Sequence, residues 1–164
     1  MAVSAAESEH DLLSRYLDSY RGAIKWKVQG LTRDEATRSM VPSGTSLLGI
    51  LKHMAYVEQG WFQEVIAGRV LESVSTEEEF AVADDETIDG LMAAFDGACA
   101  TSREILAERR LDEMVPFRGG QLAIRDVVVH MIEETARHAG QMDILREQID
   151  GQTGGFPPGG LPWS

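Results

Sequence analysis

His53, Glu134 and His138 are the residues in this sequence whose types and spacing could do chemistry. Glu134 and His138 stand four apart, which on an α-helix puts both on one face, a turn from each other. At roughly 100° per residue, Val127, Met131, Met142, Leu145 and Ile149 fall within about 40° of the His138 direction, as does Glu134. A carboxylate and an imidazole therefore interrupt an otherwise apolar stripe. Burying either without a partner is costly, so both need compensation. They can hydrogen-bond to each other or jointly hold a metal ion, and spacing alone leaves both open.

A third donor, His53, lies in a different segment with Gly49 and Gly60 nearby, which leave room for another helix to approach. Two imidazoles and one carboxylate suit zinc, ferrous iron or nickel, and three protein ligands leave coordination positions for water or substrate. His130 extends the series on the last segment to i, i+4, i+8, but the helix drifts about 40° per step, which sets it at the edge of the stripe as a supporting or surface residue.

The elements that must position these groups are legible as four helical segments. The first runs from about Ser8 to Gln29, with Leu13, Tyr16, Leu17, Tyr20, Ile24 and Val28 at steps of three and four and Ser8 with Asp11 resembling a capping box; Gly30 ends it. Thr32 and Glu35 could cap a short turn before Pro42, Ser43 and Gly44 break the chain. The second helix begins at Thr45 or Ser46 and reaches Ala67, with Gly68 at its boundary. A polar connector from Arg69 to Asp84, carrying the acidic run Glu77, Glu78, Glu79, is long enough to cross one end of a bundle. The third helix spans Asp85 to Arg109. After a connector with Pro116, Gly119 and Gly120, the fourth spans Ile124 to Ile149 and is closed by Gly151. The Gly/Pro-rich stretch from 151 to 164 reads as a tail. No strand-like alternation of useful length is evident. The expectation is an all-α chain, a four-helix bundle forming one domain over residues 1–164.

Composition narrows the function. A chain of 164 residues, 43% hydrophobic and 26% charged, suits one ordinary core. A formal charge of −12 argues against nucleic acid and anionic membrane surfaces as partners, since phosphate affinity comes from clustered Lys and Arg. The lone cysteine, Cys99, excludes an intrachain disulfide; with no secretory signal pattern and no apolar run long enough to span a bilayer, a cytoplasmic setting is expected. Cys99 is expected to be a packing residue. Glu58 is expected to form an ion pair on the surface or between helices, with Arg137 or Arg146 as candidate partners. Gln141 and Arg137 flank the proposed site and could meet substrate carboxylates, although solvated positions are the simpler expectation for them, as for the acidic run at 77–79. Trp26, Trp61 and Trp163 are expected in the core or an interface, and Phe156 with Trp163 could dock the tail. No glycine-rich phosphate loop or Ser/His/Asp arrangement is present.

Three stretches carry a resemblance to a known family. They are Val41-Pro-Ser-Gly-Thr-Ser-Leu-Leu-Gly-Ile-Leu-Lys-His53, Val57-Glu-Gln-Gly-Trp-Phe62, and Val129-His-Met-Ile-Glu-Glu-Thr-Ala-Arg-His-Ala-Gly-Gln-Met-Asp143 followed by Ile144-Leu-Arg-Glu147. With them the sequence resembles the DinB-like superfamily of metal-binding four-helix bundles, in the branch similar to mycothiol-dependent maleylpyruvate isomerase and its N-terminal domain. The resemblance implies an up-down-down-up bundle with a long connector between helices two and three. It implies a divalent metal, zinc first and nickel or iron as alternatives, held by His53, Glu134 and His138. It also implies a low-molecular-weight thiol and an electrophile as partners and a thiol transferase or isomerase-like reaction; a homodimer is expected. The isomerase carries a further C-terminal domain that the short tail here does not match, which weakens the case for its particular reaction. Metal-assisted hydrolysis and a non-catalytic metal-binding or stress-response module are the competing expectations.

Overall fold

The structure is a computed structural model, described for residues 7–157. It is mostly helical, and the four expected long helices are present with shifted ends. Helix α1 spans Glu9–Trp26 and starts where expected, because the Ser8 side chain accepts from the Asp11 backbone N–H. Thr32 and Glu35 form a full capping box, and the turn they cap is a short helix, α2, Arg33–Thr37. Helix α3 spans Leu47–Glu58 with Ser46 as its cap. The chain continues as a π-helical segment over Gln59–Ile66, whose wider turn rotates the following side chains relative to α3; Phe62 and Ile66 are the ones buried. Gly68 then adopts φ +67°, a left-handed stop that a side chain would strain.

The Arg69 to Asp84 stretch is more than a solvated connector. Ser75 and Glu78 form a second capping box, which nucleates helix α4 over Thr76–Phe80 within the acidic run. Helix α5 follows over Ile88–Ala107, and α6 over Ile124–Asp150 ends at Gly151 in the left-handed region.

One expectation is corrected between α5 and α6. Residues read as a plain connector form an antiparallel hairpin, β1 Met114–Phe117 with β2 Gly120–Ala123, paired from Met114 with Ala123 to Phe117 with Gly120. Arg118 and Gly119 both have positive φ, 47° and 80°, the twist that suits a two-residue hairpin turn. Strands of four residues are too short for alternation to stand out, and Pro116 and the two glycines masked them.

Helix α1 lies along α6, and α3 lies along α5 while also touching α6. Leu47, Leu48, Ile50, Leu51, Met54, Phe95 and Met142 are completely buried on the half of the core around α3. Phe62, Val127, Val128 and Met131 fill the other half. Dense packing of this kind fixes the rotation of α3 and α6 about their axes, and with it the direction of their polar side chains. The tail docks as far as it is described: the Phe156 ring lies 5.3 Å from Tyr20, and Lys27 Nζ donates to the Gly155 carbonyl at 2.8 Å. Trp163 lies outside the described residues. Among the described residues, no helix is long and apolar enough to cross a membrane.

Candidate metal centre

His53 sits two turns into α3, and Glu134 and His138 sit midway along α6. The α3 to α6 contact brings them together. One ligand atom from each lies within 4.8 Å of the other two, and theirs is the one such grouping of metal-ligating side chains among the described residues. His138 Nε2 is 3.1 Å from Glu134 Oε1, and His53 Nε2 is 4.0 Å from the same oxygen. The two imidazole rings meet edge to face at 5.0 Å. Ligands around one divalent ion at roughly 2.0–2.2 Å stand about 3–3.5 Å from each other, close to the separations seen here.

The far nitrogens of both rings are already engaged. His53 Nδ1 is 2.7 Å from Glu79 Oε2, and His138 Nδ1 is 2.9 Å from Gln141 Oε1. An oxygen acceptor at Nδ1 favours the tautomer with the ring proton there, which for His53 leaves the Nε2 lone pair facing the centre; His138 has an oxygen at each nitrogen, its Nε2 being in hydrogen-bond contact with Glu134. Two imidazole nitrogens and a carboxylate oxygen thus converge on one point. A divalent cation of borderline softness fits this donor set. Burial pushes the His53 imidazole below its ordinary pKa, the Glu79 hydrogen bond pulls it back up, and His138 adds to the lowering; the net shift is downward. A neutral imidazole is the form that binds metal.

Other residues singled out in the sequence fall elsewhere. His130 packs against Trp61, the rings tilted with centroids 4.5 Å apart, and is outside the cluster. Trp61 also lies against Phe117 of the hairpin, and Trp26 is half-buried beside Lys27. Glu58 is paired between helices, but with neither Arg137 nor Arg146. Its carboxylate, with no exposed surface, accepts from Nε and Nη2 of Arg21 at 2.8 and 2.6 Å. Arg146 instead holds Asp150 and the carbonyls of Lys27 and Gln29, while Arg137 is exposed. Cys99 is buried, as a packing residue would be.

Sequence reasoning missed Glu79 and Phe80. Glu79 was read as a solvated acid, yet it reaches His53, and Phe80 stacks on the same ring at 4.1 Å and 18°. The Ser75-x-x-Glu78 capping box was the available signal that this stretch is ordered. Gln141, too, does more than face solvent. Beside Glu79, a cleft of about 360 Å³ opens along Tyr56, Gln59, Gly60, Glu64 and Glu72.

A family model described as mycothiol-S-transferase matches residues 12–151. The chain belongs to the mycothiol S-transferase family. That match covers all three candidate ligands, and membership points to mycothiol S-transferase-like function with a small thiol as substrate. Among solved structures, a conserved protein from Enterococcus faecalis is similar at a TM-score of 0.67 and 17% identity, over 90% of this chain and 100% of that one. At that identity the likeness speaks to the fold alone. No curated protein gives a significant match.

Proposed function

We propose that the protein is a divalent-metal-dependent S-transferase that joins a mycothiol-type thiol to a small electrophile, with His53, Glu134 and His138 as the metal ligands. The observation that carries this reading is the convergence of two Nε2 atoms and one carboxylate oxygen whose partners behind them are already fixed. Zinc is the preferred ion, with nickel or iron as alternatives. When bound, the ion supplies a positive charge that favours the thiolate form of an incoming thiol near neutral pH. His53 and His138 contribute no charge, so a 2+ ion with Glu134 retains a net positive field for the sulfur. In the transfer, the S–H proton leaves to solvent or a base, the sulfur forms a new S–C bond, and the electrophile's leaving group departs with its electron pair. Glu79, Gln141 and Phe80 hold the two imidazoles in place.

The same reading takes the chain as one domain, a four-helix bundle of α1, α3, α5 and α6 in up-down-down-up order, working in the cytoplasm as a homodimer. Sedimentation of the purified protein tests the last point. The reaction is tested by incubating the metal-loaded protein with an aromatic halide electrophile, with and without mycothiol or a simpler thiol. Conjugation that requires both thiol and ion is the expected result. Thiol-independent release of the leaving group would favour hydrolysis, and binding of the ion without any turnover would favour a non-catalytic module.

A further inference from the structure

We propose that Glu79 is a positioning residue for this metal centre and that the short helix α4 holds it against His53. The inference rests on the metal reading above. Glu79 differs from its neighbours: Glu77 and Glu78 are exposed, whereas Glu79 is half-buried with its Oε2 2.7 Å from His53 Nδ1. Its successor Phe80 covers the face of the same ring at 4.1 Å. Five residues of helix thus supply two of the contacts that fix one imidazole.

The rest of α4 keeps those contacts in register. Ser75 and Glu78 cap its start. Just past its end, Lys52 Nζ donates to the Ala81 carbonyl at 2.6 Å and pairs with Glu86 at 3.0 Å. On the α3 side, a Cβ at Gly49 would come within 2.7 Å of the Phe80 carbonyl oxygen, closer than side chains allow. Gly49 lies one turn before His53, so its missing side chain lets α4 approach closely enough for Glu79 to reach the ring. A carboxylate on the rear nitrogen of a metal-binding imidazole fixes the ring's tautomer and orientation and raises its basicity. Glu79 stands in that relation to His53, with Nε2 left toward Glu134 and His138.

The test compares the wild type with E79A, E79Q and G49A by Co(II) titration, using visible absorption and the cobalt Kd, with circular dichroism to show that each variant folds. E79A should weaken cobalt binding about 10- to 100-fold and change the absorption bands. E79Q retains an accepting oxygen and should recover part of the affinity; G49A, which leaves Glu79 in place, should weaken binding in the same direction by displacing α4. Nitrogen-15 spectra of the histidine rings should show the Nδ1-protonated form of His53 in the wild type and a mixture in E79A. Folded E79A and G49A that match wild-type Kd, bands and ring spectra would overturn the inference and leave the metal reading intact. A wild type that takes up no cobalt would overturn both.

Discussion

Helix α3 contributes to two polar clusters inside the same core, and they are satisfied in opposite ways. Glu58 meets Arg21 in a two-pronged ion pair with both side chains buried, and Arg21 also donates to Asp18. Charges cancel there, and the guanidinium donors match the carboxylate acceptors. Five residues earlier, His53 joins Glu134 and His138, where three metal-ligating atoms converge, the rear nitrogens are occupied and one 3.1 Å contact from His138 to Glu134 is the hydrogen bond at the centre. The first cluster is complete within the chain, whereas the second is the one that the proposed cation would complete. A buried polar group is therefore informative about function through what its partners leave unmet, more than through burial itself.

The comparison breaks first at the ion pair. E58A leaves the buried Arg21 charge with the partly exposed Asp18 alone and should cost up to about 3–5 kcal/mol in urea unfolding, with cobalt or zinc uptake per folded molecule unchanged. Loss of metal at unchanged stability would show that the two clusters are not separate.

The metal cluster should behave in the reverse sense. H138A in the metal-free protein should shift stability by less than E58A does, because it removes part-buried hydrogen bonds to Glu134 and Gln141 without stranding a buried charge. Excess zinc should stabilise the wild type by about 2.7 kcal/mol at a hundredfold over Kd and leave H138A near its metal-free value, read as the shift in thermal midpoint. Equal zinc stabilisation of both would remove His138 from the ligand set.

One side of this contrast was legible in the sequence, and the unread part has a physical cause. Periodicity placed Glu134 and His138 on the buried face of α6 because a helix repeats its directions every few residues. The glycine stops at Gly68 and Gly151 and the Ser8 and Ser46 caps marked helix ends for the same local reasons. Contacts made across the chain left no such trace. Arg21 and Glu58 are 37 residues apart and His53 and Glu79 are 26 apart, so packing, rather than spacing, determines those pairings. The hairpin between α5 and α6 was missed because its strands hold four residues each.

Cys99 gives a smaller effect on the ion-pair side. Burial pushes its thiol up to about 12, with the Glu58 charge adding to the rise and Arg21 opposing it. A thiol held there stays protonated and shielded at pH 8, so iodoacetamide should leave it unmodified in the native protein and label it fully in guanidinium, by mass spectrometry. Fast native labelling would show that this half of the core opens readily.

The smallest effect concerns Asp18, at the edge of the ion pair. Burial raises its pKa, but hydrogen bonds from Arg103 and Arg21 and their charges outweigh that, and the carboxyl titrates below its ordinary 3.8. Because its folded value is the depressed one, its contribution is present above 3.8 and is lost as pH falls through the lower folded value. D18N should therefore lower stability slightly at pH 6 and flatten the acid side of the stability profile below pH 4. An unchanged profile would mean that Asp18 contributes nothing measurable to the pair.

The most direct test is elemental analysis of the freshly purified protein and of its H53A, E134A, H138A and E58A variants. The account predicts about one divalent ion per chain in the wild type and in folded E58A, and little or none in the other three. A wild type without a bound ion that also takes up none on titration, or H53A and H138A with a full complement, would contradict it.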